Sequence, residues 1–252
     1  MKSGSHNLHL FEPISLEEMD SVKLQDRTDT KFVFHADQLN NILERISPDY
    51  RILELNGKRA SPYETLYFDT PAMDLFHSHH RGKLNRYKVR FRKYVDSDLT
   101  FFEVKFKSNR GRTVKRRITS QAIHTEISGK EADFLREISP LDPNSLIPVV
   151  WVYYNRATLV GKHSPERLTL DFNLAYRFNG KDINYSELII AESKQDRSAR
   201  SPFIRHMKEL HIRQGSISKY CLGIMGLYDF VKRNNFKPKI RKINKVSYGK
   251  SA

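Results

Sequence analysis

The sequence has 252 residues and contains 44 Lys or Arg against 29 Asp or Glu, which gives a formal net charge of +15. This excess favours a polyanionic partner such as nucleic acid, a nucleotide, a phosphate polymer or an anionic membrane surface. No segment has the roughly 20 apolar residues that cross a bilayer, and the single cysteine, Cys221, excludes an internal disulfide or a cysteine-built metal site. We therefore expect a soluble, cytoplasmic protein with one large domain.

Along the chain, residues 1–12 are expected to be a flexible lead-in, and Ser15 with Glu18 forms a capping box that starts a short helix. Eight segments have the alternation and composition of strands: 24–34, 63–70, 86–93, 101–107, 113–118, 149–158, 167–175 and 188–194. Helices are predicted over 36–46, 71–80, 130–138, 202–210 and 217–232. The domain over 13–235 is followed by a basic tail, 236–252, which we expect to be mobile.

Eight strands joined mainly by short turns or single helices predict an α+β protein with a large antiparallel sheet. Eight strands also suffice to close a barrel. The strand pattern by itself leaves open whether the sheet is open or closed.

Three consecutive strands carry basic residues on one face only. On strand 86–93, the period of two places four basic residues on one side and Tyr87, Val89 and Phe91 on the other. Across the three strands, the basic residues of this face are Arg86, Lys88, Arg90, Arg92, Lys105, Lys107, Lys115 and Arg117. Like charges about 7 Å apart repel by about 2.4 kcal/mol at an effective dielectric of 20. If these residues line a cavity, a bound anion would reduce the repulsion among them. We expect Arg86 and Lys107, near strand ends, to be solvated and leave them out of the site.

The other strands add cations to the same kind of face, and a few carboxylates lie among the cations of the whole set. The additional basic positions are Arg27, Lys31, Arg156 and Lys194, and the carboxylates are Asp29, Glu103, Asp171 and Glu192. Arg and Lys neutralise phosphate oxygens. A minority of carboxylates can hold lysines in position or bind a hard divalent ion shared with phosphates.

Nine short motifs in order give the chain a family resemblance. They are Arg27-x-Asp29-x-Lys31, Tyr67-Phe68-Asp69-Thr70, Arg90-x-Arg92, Glu103-x-Lys105, Lys115-x-Arg117, Tyr154-Asn155-Arg156, Leu170-Asp171-x-Asn173, Glu192-x-Lys194 and Ser218-Lys219. With these motifs the chain, from about Leu24 to Lys232, resembles the polyphosphate-polymerase domain of the vacuolar transporter chaperone (VTC) complex. That domain belongs to the CYTH-like triphosphate tunnel metalloenzyme superfamily.

The resemblance implies an antiparallel eight-stranded β-barrel with a basic bore and helices packed outside. It implies an enzyme that transfers the γ-phosphate of ATP to a growing polyphosphate chain, with Mn²⁺ or Mg²⁺ in the tunnel. The phosphate-binding catalytic residues implied by the motifs are Lys31, Arg90, Arg92, Lys105, Lys115, Arg117, Arg156 and Lys219. Further substrate-binding residues are Arg27, Tyr154, Lys194 and Ser218, and Glu192 is the implied metal ligand.

Hydrolytic relatives carry an ExExK motif on the first strand, whereas this sequence has Arg27 and Asp29 before Lys31. The change favours synthesis or binding over hydrolysis. A tunnel triphosphatase, which would hydrolyse tripolyphosphate or nucleoside triphosphates, stays open as an alternative. So does a non-catalytic module that binds polyphosphate or nucleic acid, although Tyr87 and Phe91 lie opposite the charges, which disfavours base stacking. No protein partner is indicated.

Overall fold

The computed structural model describes residues 6–21, 27–196, 200–215 and 217–248, with the side chains of 20, 21, 27, 247 and 248 outside the description. The described strands are β1 (Glu12–Ile14), β2 (Arg27–His35), β3 (Tyr50–Leu53), β4 (Ser61–Asp69), β5 (Arg86–Tyr94), β6 (Leu99–Lys107), β7 (Thr113–Ser120), β8 (Ile147–Gly161), β9 (Glu166–Phe178), β10 (Lys181–Tyr185) and β11 (Leu188–Asp196). The described α-helices are α1 (Leu16–Ser21), α2 (Leu39–Ile46), α3 (Asp74–His80), α4 (Gly129–Ile138), α5 (Pro202–Glu209), α6 (Lys219–Leu227) and α7 (Lys237–Tyr248). None of these helices has the length and apolarity to cross a membrane.

The predicted α+β class is confirmed, and the sheet contains the eight predicted strands in the order β2-β11-β9-β8-β4-β5-β6-β7. Every neighbouring pair on this path is antiparallel. Three short strands that the sequence did not predict extend the sheet: β3 pairs with β8, β1 pairs in parallel with β3, and β10 pairs with β9.

The sheet curls so strongly that its two terminal strands line one cavity. Lys31 on β2 and Thr113 on β7 both contribute to its wall. No backbone ladder joins β2 to β7 within the described ranges. The barrel is thus a curled tunnel with a seam between its end strands.

The apolar faces of the basic strands point outward, as the alternation predicts. Val89, Phe91, Phe102 and Val104 form a buried cluster that includes Leu135 of α4. On the other half of the sheet, α2 and α5 cover the outward residues of β2, β8, β9 and β11. Burial of these faces under helices forces the alternate, charged residues onto the concave side.

Helix α6 departs from the expectation that the helices pack outside. Its residues Tyr220 and Ile224 share a buried cluster with Val150, Val152 and other residues of the concave face. Val152 and Arg156 lie on the same face of β8, because their positions differ by an even number of residues. Seven of the nine residues of α6 are buried, so this helix packs on the concave face through apolar contacts.

Parts of both terminal segments pack against the rest of the described structure. Phe11 is 2% exposed and packs in the cluster beneath α2 and α5, which holds the N-terminal segment in place. Residues 237–248 of the predicted basic tail form α7. Ile243 is 4% exposed, and Ile240 and Val246 pack beside it. Their spacing of three residues gives the helix one apolar face, which the tunnel wall buries.

Candidate functional site

A first group of site residues surrounds Glu103, which is 1% exposed on β6. Arg90 Nε donates to Glu103 Oε2 at 2.7 Å, and Arg90 Nη1 donates to Tyr67 Oη at 2.7 Å. Lys115 pairs with Oε1, and Arg92 Nη1 lies 4.0 Å from Oε2. Burial alone would raise the pKa of Glu103, but Arg90 and the neighbouring cations outweigh it and hold this pKa well below its usual range. An ionised carboxylate therefore holds three cations together.

A second group surrounds Asp171 on β9. Arg156 forms a bidentate pair with it, from Nε to Oδ1 at 2.6 Å and from Nη2 to Oδ2 at 2.9 Å, and Lys219 at the start of α6 contacts Oδ2. Tyr154 lies beneath both cations, with its ring centroid 4.6 Å from Lys219 Nζ. The phenol oxygen of Tyr154 is buried and has no hydrogen-bond partner in the described part of the chain. It is a buried polar group whose hydrogen-bonding capacity the described residues do not use.

A third group surrounds Glu192 on β11. Lys31 Nζ lies 2.9 Å from Glu192 Oε1, and Lys194 Nζ lies 4.0 Å from the same oxygen. Burial opposes ionisation, but the charge of Lys31 and then of Lys194 outweighs it and lowers the pKa of Glu192 to about 2. Arg156 also acts on this carboxylate, so the second and third groups lie within electrostatic range of each other.

A cavity of about 500 Å³ opens beside these groups. Its charged lining residues are Asp29, Lys31, Arg86, Lys88, Lys105, Lys107 and Lys239. Lys105 is exposed to this space, and its pKa falls to about 8 because of burial by the wall, reinforced by the charges of Lys88, Arg90 and Lys31. The cavity therefore holds an excess of positive charge close to the first and third groups.

The predicted site residues are thus distributed over one continuous region, with two exceptions. Lys31, Lys105 and Ser218 line the cavity. Arg90, Arg92, Lys115, Tyr154, Arg156, Lys194 and Lys219 belong to the three carboxylate groups. Arg117 is exposed and lies over the Phe101 ring, with 4.3 Å between guanidinium carbon and ring centroid. The side chain of Arg27 lies outside the described residues.

Sequence reasoning missed four cations of the cavity wall. Lys88 was visible as part of the alternating face but no motif included it. Arg86 and Lys107 were expected to be solvated, yet both line the cavity and donate to backbone carbonyls, those of Lys83 and Gly111. Lys239 had no sequence signal, because its position depends on how α7 packs.

The donor set around Glu192 fits a divalent ion that is shared with a phosphate ligand. Both lysines approach Oε1, and no described ion pair or hydrogen bond uses Oε2. Mg²⁺ commonly takes one or two carboxylates and completes its shell with water and substrate phosphates. A second possible metal-binding group consists of His35, Asp37 and Glu187. It lies apart from the cavity lining, and His35 Nδ1 already accepts a hydrogen bond from Asp37 N at 3.2 Å.

The fold is similar to that of a solved structure, and a second solved structure also matches most of the chain. A candidate adenylate cyclase from Bacillus halodurans has 14% identity and a TM-score of 0.51, and the match covers 81% of this chain and 98% of that one. A candidate adenylyl cyclase from Hippeastrum, reported to have a dominant triphosphatase activity, has 15% identity and a TM-score of 0.49 over 80% of this chain and 96% of that one. None of the curated protein sequences compared matches this chain.

The family comparison covers most of the molecule. The model of the VTC domain matches residues 26–228, which include β2 through β11, α6 and all three carboxylate groups. By this match the chain belongs to the VTC domain family.

Proposed function

We propose that this protein is a polyphosphate polymerase that transfers the γ-phosphate of ATP to the end of an inorganic polyphosphate chain. Membership of the VTC domain family supports a polyphosphate-related tunnel enzyme. The observation that carries the proposal is the excess of cations along a tunnel in which three ionised carboxylates hold their partners in fixed positions. Such a surface is complementary to a chain of phosphates with about one negative charge each.

In this proposal, the preformed cation groups provide most of the catalysis. Phosphoryl transfer requires in-line positioning and neutralisation of charge on the transferring group rather than covalent chemistry by the protein. Arg90 and Arg156 are fixed by carboxylates and can still offer guanidinium N–H groups to phosphate oxygens, while Lys31, Lys105, Lys115 and Lys219 add point charges. The terminal phosphate oxygen that attacks is already anionic at neutral pH, so no general base is assigned.

Glu192 is proposed to hold a divalent ion, Mn²⁺ or Mg²⁺, through its open oxygen. When bound, the ion supplies further neutralisation of phosphate charge. Lys31 and Lys194 keep the carboxylate oriented on the concave face, and the buried hydroxyl of Tyr154 donates to a phosphate oxygen. The proposed contacts between the polyphosphate chain and the tunnel wall also include Ser218 and Arg92.

A nucleic-acid partner fits the aromatic residues poorly. Tyr87 and Phe106 stack on each other on the outer face, with 4.6 Å between ring centroids. Tyr67 and Tyr154 lie on the concave face but are 5% and 2% exposed and pack against cations. These rings are therefore not free to stack on bases.

The experiment that tests the proposal is a product analysis after incubation with ATP and Mn²⁺. Long phosphate polymer with a matching amount of ADP is the expected result. Net release of orthophosphate, with no polymer, would instead support the tunnel triphosphatase. Binding of tripolyphosphate without any turnover would support a non-catalytic polyphosphate-binding protein.

A further inference from the structure

Some cations of the cavity wall differ from those of the three carboxylate groups because no carboxylate of the described residues is paired with them. Arg90, Arg156 and Lys31 each pair with a carboxylate within 3 Å. For Lys88 and Lys239, the ion pairs of the described residues include no carboxylate partner. The cavity therefore contains positive charge that the protein itself does not neutralise.

Lys88 reaches the start of α6 from β5. Its Nζ donates to Ser218 Oγ at 2.9 Å, and that hydroxyl also accepts from the backbone N–H of Cys221. Burial lowers the pKa of Lys88, with repulsion from Arg90 and Arg86 in the same direction. An anion bound beside Lys88 would raise its pKa again by favouring the charged form, whereas the Ser218 hydroxyl supplies only a dipole.

Lys239 approaches the same stretch of cavity from α7. Lys88 and Lys239 both act electrostatically on His79 and on Cys221, so both lysines lie within electrostatic range of these residues. His79 lines the cavity, and its Nδ1 is buried without a hydrogen-bond partner in the ranges that are described. A neutral imidazole in the same cavity wall as these two lysines can donate to a phosphate oxygen without adding charge.

We propose that Lys88, His79 and Lys239 form a second phosphate-binding subsite, which holds the part of an extended phosphate chain that lies beyond the three carboxylate groups. The proposal rests on the proposed function only for the identity of the ligand as a phosphate chain. In this proposal a tripolyphosphate occupies the carboxylate groups alone, whereas a longer chain continues along the cavity wall to Lys88 and Lys239. Lys239 lies on α7, beyond the residues 26–228 matched by the family, so the subsite is completed by a helix outside the family match.

The test compares long-chain polyphosphate with tripolyphosphate in direct binding measurements without ATP or metal. We expect Lys88→Ala and Lys239→Ala each to weaken long-chain binding by about tenfold, since a charge-assisted hydrogen bond is lost. Affinity for tripolyphosphate should stay within about twofold. No turnover is measured in this experiment. A negative result for long-chain binding can therefore be distinguished from failure of the polymerase assay.

Matched controls remove the same charge elsewhere. Arg241 is exposed and lies about 200° around α7 from Lys239, and Arg116 is exposed on the outer face of β7. Arg241→Ala and Arg116→Ala should leave both affinities unchanged. Lys88→Met preserves the aliphatic packing of Lys88 and should behave as Lys88→Ala, and thermal unfolding verifies that each variant is folded.

Three outcomes would overturn the subsite. The first is that both ligands lose affinity equally in Lys88→Ala and Lys239→Ala, and the second is that neither variant changes long-chain binding. The third is that Arg241→Ala weakens binding as much as Lys239→Ala does, which would indicate a long-range charge effect. Tight binding of single-stranded RNA that tripolyphosphate does not displace would point to a nucleic-acid surface instead.

Discussion

Single carboxylates organise the cations of the concave face. Glu103, Asp171 and Glu192 are each bonded to at least one cation from a different strand or helix. An isolated buried charge is strongly unfavourable, but a carboxylate between cations is ionised and orients them. Residues distant in sequence are thus held at fixed positions before any ligand binds, which reduces the ordering cost of phosphate binding.

Replacement of Glu103 by Gln should destabilise the protein. The substitution leaves Arg90, Arg92 and Lys115 without their shared anion, and removal of one partner from a buried ion pair costs about 3 kcal/mol of unfolding free energy. Urea unfolding measures this loss. The control is Asp133→Asn, whose carboxylate forms an exposed pair with Arg136 at 3.0 Å, with an expected change below about 0.5 kcal/mol.

Tripolyphosphate should restore more stability to Glu103→Gln than to the unmodified protein, because the phosphates take over neutralisation of the three cations. Equal losses in Glu103→Gln and Asp133→Asn would contradict the role of Glu103 as the central anion of its group.

Replacement of Glu192 by Gln should reduce metal-dependent turnover by at least about 100-fold, since a charged ligand oxygen is lost. Binding of tripolyphosphate without metal should remain within about threefold, because Lys31 and Lys194 are still present. Turnover as a function of Mn²⁺ concentration and calorimetric binding measure the two effects. Glu187→Gln is the matched control at the exposed His35 group; if it abolished the metal response and Glu192→Gln did not, the metal assignment would be wrong.

Among the secondary-structure elements, the strands followed their sequence patterns more closely than the helices. Before the helix predicted over 71–80, Asp69 accepts from Leu75 N at 2.8 Å and Phe76 N at 2.9 Å. The helix begins only at Asp74, because Met73 has a φ of 59° and interrupts the turn before it. The capping box of Ser15 and Glu18 is confirmed by both of its hydrogen bonds.

Helix α7 should contribute measurably to the stability of the whole domain. Ile243→Ala removes a buried side chain from the cluster shared with α6, and we expect a loss of about 2 to 4 kcal/mol in the free energy of unfolding. Urea unfolding of the variant provides the measurement. Lys245→Ala, on an exposed position of the same helix, should change it by less than about 0.5 kcal/mol. If both variants were equally harmless, residues 237–248 would be a mobile tail after all.

In the whole molecule, the tunnel concentrates like charges whose ionisation depends on one another. Burial lowers the pKa of both Lys105 and Lys115 to about 8. For Lys105, neighbouring cations lower the pKa further, whereas for Lys115 the attraction of Glu103 opposes the effect of burial. Both lysines are charged below this pH and lose their charge above it. A bound polyanion favours the charged form and raises both pKa values.

Affinity for tripolyphosphate should therefore fall as the pH rises from about 7 to about 9, and binding near pH 8 should take up protons. Calorimetry in two buffers with different ionisation enthalpies measures the proton uptake. Lys105→Arg should flatten the decline, because a guanidinium stays charged throughout this range. Affinity that is constant or higher at the upper pH would contradict the role of these lysines in binding.

Much of the fold could be predicted because it depends on local periodicity. The period of two in β5, β6 and β7 determined which residues share a face, and Val89, Phe91, Phe102 and Val104 of β5 and β6 are buried as expected. The strands β1, β3 and β10 escaped prediction because they have three to five residues and little alternation of their own. Their pairing with longer strands stabilises them.

The sequence alone determined the alternating basic faces, the α+β class and the types of residue that meet a polyanion, because side-chain direction on a strand follows from local geometry. Only the tertiary structure decided which carboxylate holds which cation, that α6 packs on the concave face, and that α7 brings Lys239 to the cavity. Those features depend on the curl of the sheet and on contacts between segments more than 100 residues apart, such as Lys88 with Ser218. A local sequence pattern does not encode such contacts.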